Sequence, residues 1–280
     1  MPSLFAKRFG HLRQLDGAEV RARLGAKVRR GLSWRRNVRQ AAYALDAYAL
    51  SPYDAPYIEN PEVGAVNLQS KLYRLQIGGP FEPYDVDLIN RAAVTLLGDA
   101  KTVFEAGSGT GMFAGLAADR GVDVTASEFD APTRQWAEAN RAHPNIAYCE
   151  TWLQDVETDA YDLSMAFEVV EHVDNYPTFL RELARIAPSS ILSTPNKARS
   201  AFDEIASPPA FRQHVREWTA GEFYWVLRCF WDEVELWTIP DIQTHMKRLA
   251  ADSAYQPPIE RQGLLSRDQV MIAVCRRPRR

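Results

Sequence analysis

Cysteine is scarce in this chain, at three among 280 residues. Cys149, Cys229 and Cys275 are odd in number, far apart and outside any metal-type pair. That excludes a disulfide framework and a cysteine-based zinc site, and it fits free or buried thiols in a reducing compartment. No apolar run approaches the roughly 20 residues needed to span a bilayer, and the basic N-terminus lacks the apolar stretch of a secretory signal. The expected location is cytoplasmic. The formal net charge is only -3, so overall charge makes no case for nucleic acid. Internal repeats and low-complexity tracts are absent as well, which excludes a solenoid. What remains is a chain, 46% hydrophobic, that can bury one sizeable core.

The charge is unevenly spread. Residues 1–40 carry eleven Lys and Arg against Asp16 and Glu19, a local +9, which leaves -12 for the rest. Phe5, Phe9, Leu12 and Leu15, then Val20, Leu24, Val28 and Leu32, recur at helical spacing, interrupted by Gly10, Gly17, Gly25 and Gly31. Residues 1–50 therefore read as a basic amphipathic helical extension. Residues 51–83, with Gly78-Gly79-Pro80 and Pro83 at their end, read as a loop-rich connector able to cap a substrate site. The main domain is expected over 84–280.

There, short apolar or β-branched runs alternate with longer amphipathic ones, the pattern of βαβ units around a mostly parallel sheet. Helices are expected near 84–97, 112–120, 131–142, 176–186 and 220–229. Seven strands are expected near 102–105, 122–127, 146–149, 163–167, 190–193, 233–237 and 269–275. Between the last two strands no crossover helix is legible, so an antiparallel edge is expected. The fold class is α/β, Rossmann-like, with helices on both faces.

Gly107, Gly109 and Gly111 directly follow the apolar strand that contains Val103 and Phe104. Glycines there let the backbone turn tightly and come close to a ligand. Met112 stands where a dinucleotide fingerprint needs its third glycine, and no Gly-Lys-Ser/Thr follows, so nicotinamide, flavin and P-loop readings are disfavoured. Glu105 just before the loop suits a cationic amino group or backbone amides and would repel a pyrophosphate. Glu128 closes the next strand, twenty-one positions after Gly107, at the spacing that suits ribose hydroxyls. The plainer alternative is a tight strand-to-helix turn with a solvated acid beyond it.

Together, Glu105, the glycines and Glu128 resemble the first two motifs of the class I S-adenosylmethionine-dependent methyltransferases, over roughly residues 79–275. The resemblance implies that Glu105 and the Gly107-Ser108-Gly109-Thr110-Gly111 backbone serve the methionine part of S-adenosylmethionine, and that Glu128 binds ribose with Phe129 beside the adenine. Many members place an acid after strand three; here Trp152 stands there, either stacking on the base or serving as core.

After strand four the chain reads Glu168-Val169-Val170-Glu171-His172. If a helical turn begins there, Glu171 and His172 lie at i+3 and i+4 from Glu168 on one face. With His214, this makes an O/N ligand set suited to Mg, Mn, Fe, Co or Zn. The E-x-x-E-H run and the distant His214-Val215-Arg216-Glu217-Trp218-Thr219 resemble the small-RNA 3'-terminal ribose 2'-O-methyltransferases. That resemblance implies metal ligation by Glu168, Glu171, His172 and His214. The same run, with Ser193-Thr194-Pro195-Asn196, equally resembles the ubiquinone-pathway O-methyltransferases. Both share a vicinal-hydroxyl acceptor. The bland alternatives are that Glu168 contacts only the amino end of the cofactor, that Glu171 is solvated, and that the histidines are satisfied by backbone. Without a metal, His172 or His214 is the candidate general base.

The leading expectation is O-methylation of a small molecule or glycan bearing neighbouring hydroxyls. RNA ribose 2'-O-methylation is the second. A non-catalytic protein working through its basic arm is the third, and Glu105, Gly107, Gly109 and Glu128 argue against it. The arm suits RNA, an anionic membrane surface, an acidic partner or plain solvation. A substrate lid is expected in 197–213.

Overall fold

The computed structural model describes residues 57–60, 62, 64–67, 84–199 and 214–279. The expected basic extension, most of the connector and most of the expected lid lie outside the described residues. Within the connector, β1 (Tyr57–Asn60) and β2 (Gly64–Asn67) pair as an antiparallel hairpin, where the sequence reads as loop.

Five parallel strands follow in the main domain: β3 (Thr102–Ala106), β4 (Asp123–Ser127), β5 (Ile146–Cys149), β6 (Leu163–Phe167) and β7 (Ser189–Pro195). After them come β8 (Trp231–Thr238), β9 (Glu260–Arg261) and β10 (Val270–Pro278). Their spatial order is β5-β4-β3-β6-β7-β10-β8-β9. The chain's last strand, β10, inserts antiparallel between β7 and β8, so the antiparallel end is built largely from the chain's last third. The sheet has eight strands rather than seven. The extra one, β9, is two exposed charged residues with no apolar alternation to reveal it.

Both faces of the sheet are buried, so central strands read as continuous apolar runs. Along β10, Val270, Ile272 and Val274 enter one core, while Met271, Ala273 and Cys275 enter the other. The first core is covered by α1 (Tyr84–Ala93), α2 (Met112–Ala118) and α6 (Ile242–Ala251). On the opposite face lie α4 (Tyr176–Ile186) and α5 (Ala220–Leu227), while α3 (Ala131–Asn140) packs beside β5.

Helix α6 corrects the expectation of a bare connection between the last two long strands. It buries Ile242, His245 and Leu249, a narrow stripe at helical spacing with a polar residue in its middle, which weakens the periodic signal. Helices α3, α4 and α5 start at side-chain caps. Asp130 accepts from Thr133 N–H at 3.1 Å, and Thr219 and Glu222 form a reciprocal capping box, each worth ~1 kcal/mol. Among the described residues no helix is long and apolar enough to cross a membrane.

Candidate active site

The C-terminal ends of β3, β4, β6 and β7 meet at one rim, where open α/β sheets bind ligands. Beyond β3, Gly107, Gly109 and Gly111 all have positive φ (72°, 55° and 72°), which glycine adopts without strain. A Cβ on Gly107 would lie 2.6 Å from Val169 Cγ2, and one on Gly111 would lie 2.3 Å from the Tyr148 hydroxyl oxygen. At these two positions, then, the chain's own side chains demand glycine, a reason independent of any ligand. The loop is pinned from below by Gly107 and Ser108 N–H donating to Ser127 O at 2.8 and 2.9 Å.

Glu105 is buried just beneath the loop. Its charge acts on Tyr148, whose pKa is pushed up to about 12, first by burial and then by Glu105. Tyr148 therefore stays protonated, and its hydroxyl donates to Arg141 O at 3.2 Å.

Glu128 is locked by two backbone donors, with Oε2 accepting from Gly109 N–H and Oε1 from Asp130 N–H, each at 2.8 Å. The carboxylate thus joins the glycine loop to the start of α3. Arg134 donates to the Glu128 carbonyl and pairs with Glu150 at 2.9 Å. Next to it, the rings of Phe129 and Trp152 touch, with centroids 4.0 Å apart and planes at 33°. No space remains for a base between rings in contact, so a purine would meet this pair on an outer face. Trp152 also packs half-buried on the core, so the two readings offered for it are not exclusive.

The E-x-x-E-H run departs from the expected helical turn. Glu168 has φ 53°, a left-handed conformation that costs a non-glycine residue about 1–3 kcal/mol, and only a single 3₁₀ turn follows over Val170–His172. Glu168 therefore stands outside the turn. Its Oε1 accepts from Ser193 Oγ at 2.9 Å, and its N–H donates to Ser193 O at 3.2 Å. Three of the four expected ligands do converge: Glu171, His172 and His214 are all buried and present donor atoms within 4.8 Å of one another. Glu168 is not in that set of three, although its charge reaches Glu171.

Glu171 is fully buried; one oxygen accepts from Thr194 Oγ1 at 3.1 Å. The other, Oε1, is buried with no hydrogen-bond partner among the described residues. Burial, followed by the charges of Glu168 and Glu217, raises its pKa well above the usual carboxylate range. A cation placed there would reverse that balance. The histidine rings meet edge-on, with centroids 4.8 Å apart at 87°.

His214 arrives from forty-two positions beyond His172 because Val215 N–H donates to Glu171 O at 2.7 Å and Lys197 N–H to Trp218 O at 2.8 Å. Sequence reasoning did not single out Glu217, which meets His214 Nδ1 at 2.7 Å; its i+3 spacing from His214 was the available signal. It also missed the hairpin's anchors. Gln154 donates to Asn60 at 2.8 Å and Asn175 to the Glu62 carbonyl at 2.8 Å, tying β1–β2 to segments two residues past Trp152 and three past His172.

A family model described as a methyltransferase domain matches residues 81–230. Among curated proteins, the ubiquinone biosynthesis O-methyltransferase of Rickettsia typhi is 31% identical over 106 residues, covering 36% of this chain and 43% of that protein. Its counterpart from Rickettsia akari is 30% identical over 106 residues, covering 36% and 42%. The match thus spans less than half the length of these relatives. Among solved structures, a Thermotoga maritima S-adenosylmethionine-dependent methyltransferase, described as a possible histamine N-methyltransferase, superposes with a TM-score of 0.50 at 14% identity. That superposition covers 69% of this chain and 89% of the other and speaks for the fold alone. The domain match over more than half of the chain, on a sheet of this order with this glycine loop, makes the chain a member of the class I S-adenosylmethionine-dependent methyltransferases.

Proposed function

We propose that the chain methylates a hydroxyl oxygen of an acceptor bearing two neighbouring hydroxyls, with a divalent cation held by Glu171, His172 and His214. The observation that carries this reading is the convergence of three buried ligand atoms within 4.8 Å around a Glu171 oxygen with no hydrogen-bond partner among the described residues. A mixed carboxylate and imidazole set fits Mg, Mn, Fe, Co or Zn. Relatives named for O-methylation support the choice of oxygen.

In this reading the donor supplies an electrophilic methyl on a sulfonium, and the cation, when bound, supplies Lewis-acid charge that lowers the pKa of adjacent hydroxyls. The chain does the rest. The glycine-loop backbone and Glu105 receive the methionine end, Glu128 the ribose hydroxyls, and Phe129 with Trp152 one face of the adenine. Glu168, bent out of the turn and held by Ser193, faces the donor's amino end rather than the cation. Without the cation, His172 or His214 is the group that would take the hydroxyl proton instead. Most of the rate comes from fixing acceptor oxygen and methyl carbon in a buried site. The hairpin β1–β2, anchored through Asn60 and Asn175, walls the acceptor side.

The test is metal content and turnover of the purified full chain, before and after chelation, on two acceptors: a catechol and an RNA oligonucleotide with a free 3'-terminal ribose. Methyl transfer to either diol that is lost on chelation and restored by a divalent ion supports the proposal. Full turnover after complete metal removal, or transfer to nitrogen, overturns it. Preference for the oligonucleotide, abolished by deleting residues 1–40, would assign the basic arm to RNA.

A further inference from the structure

The two ring nitrogens of His214 have different surroundings. Nδ1 lies 2.7 Å from Glu217 Oε1, and both side chains are buried, at 8% and 2% exposure. A carboxylate offers only lone pairs, so the hydrogen of this contact sits on Nδ1. In the neutral ring that tautomer puts the lone pair on Nε2.

The backbone keeps the pair in place from both sides. Val215 N–H is tied to the Glu171 carbonyl at 2.7 Å, and Trp218, fully buried, accepts from Lys197 N–H at 2.8 Å. Glu217 sits between those two ties, on a backbone fixed on both sides, with its side chain only 2% exposed. Its charge is partly balanced by the buried Lys197 ammonium, which interacts electrostatically with both Glu222 and Glu217. One ring nitrogen of His214 lies within 4.8 Å of ligand atoms of Glu171 and His172, and the two imidazoles meet edge-on.

We propose that Glu217 is the positioning residue that holds His214 in the Nδ1–H tautomer and so presents Nε2 to the site as the acting atom. What Nε2 does there, ligating a cation or taking the acceptor's proton, rests on the function proposed above; the tautomer does not. Carboxylates that orient a metal-bound imidazole in this way typically change metal affinity by about 10- to 100-fold when removed.

The experiment uses the full chain labelled with ¹⁵N-histidine. The chain has five histidines, and His214→Asn assigns the signal. Long-range ¹H–¹⁵N correlations at a pH where the ring is neutral report which nitrogen carries the hydrogen. The same samples are titrated with Mn²⁺ and followed by electron paramagnetic resonance, with S-adenosylmethionine affinity as the check on the rest of the fold. The wild type should show Nδ1–H. Glu217→Ala should shift His214 toward Nε2–H and weaken Mn²⁺ binding about 10- to 100-fold, with S-adenosylmethionine affinity retained. Glu217→Gln, which keeps an oxygen acceptor, should retain more of both properties. A tautomer shift in Glu217→Ala with no Mn²⁺ bound by any form supports the positioning role and removes the cation. Nε2–H in the wild type overturns the proposal, as does a Glu217→Ala protein unchanged in both tautomer and Mn²⁺ affinity. Because the wild-type spectrum alone decides the tautomer, a Glu217→Ala chain that fails to fold does not shield the proposal.

Discussion

The donor and acceptor halves of the site are built differently. Most donor-side groups, from Glu105 to Phe129, come from one β-loop-α-β stretch, to which Trp152 and Glu168 are added from beyond β5 and β6, and Glu128 ties the far end of that stretch back to Gly109 N–H at 2.8 Å. The acceptor side is assembled from the 170–172 turn and the stretch 214–218, joined through the Glu171 carbonyl. A local unit can be read from spacing. A site made of distant pieces depends on strand ends and backbone ties that spacing does not encode.

This contrast can be broken by experiment. The largest effect is expected on the acceptor side: His172→Ala should lower kcat roughly 10²–10⁴-fold while leaving the Kd for S-adenosylmethionine nearly unchanged. A parallel loss of donor affinity would erase the division. On the donor side, Glu128→Ala removes a carboxylate that holds two backbone N–H groups at 2.8 Å each. It should raise the Kd for S-adenosylmethionine about 10- to 100-fold, the range expected from losing charge-assisted hydrogen bonds of about 1.5–3 kcal/mol. Calorimetry on the purified variant reads this directly.

Smaller effects sharpen the picture within the donor half. Gly111→Ala places a Cβ 2.3 Å from the Tyr148 hydroxyl oxygen at φ 72° and should cost about 1–3 kcal/mol of stability. Tyr148→Phe in the same chain should return part of that loss. If the double variant is no better than the single one, backbone strain rather than collision sets the requirement for glycine.

The smallest effect serves as a control at the opposite ends of the strands. Asp162, just before β6, accepts from Lys101 and Thr102 N–H at 2.8 and 3.0 Å, and these bonds hold its carboxyl below the usual aspartate range. A depressed folded-state pKa stabilises above the unfolded-state value and is lost as pH falls through the folded one. Asp162→Asn should thus cost about 1 kcal/mol near neutral pH, a figure kept small because the side chain is largely exposed. The gap in Tm from wild type should close under strongly acidic conditions, with donor affinity untouched throughout.

Much of the fold was legible. Strands such as β5 and β6 and helix α4 follow from apolar runs and helical periodicity, and their bounds match the reading from sequence. Helix α6 escaped because His245 interrupts its stripe, and β9 because two charged residues carry no pattern. At the site, E-x-x-E-H pointed to the right neighbourhood but to the wrong local geometry. The left-handed Glu168 depends on its bonds to Ser193, a strand away. Glu217 offered only its i+3 spacing from His214 as a signal, a spacing too common to single it out as an orienting group.

The division of labour is tested most directly by calorimetric titration of S-adenosylmethionine into the full chain, wild type beside His172→Ala and Glu128→Ala. The account predicts saturable binding at one site in the wild type, preserved in His172→Ala and severely weakened in Glu128→Ala. No binding by the wild type at high micromolar donor, or equal loss in both variants, would contradict it.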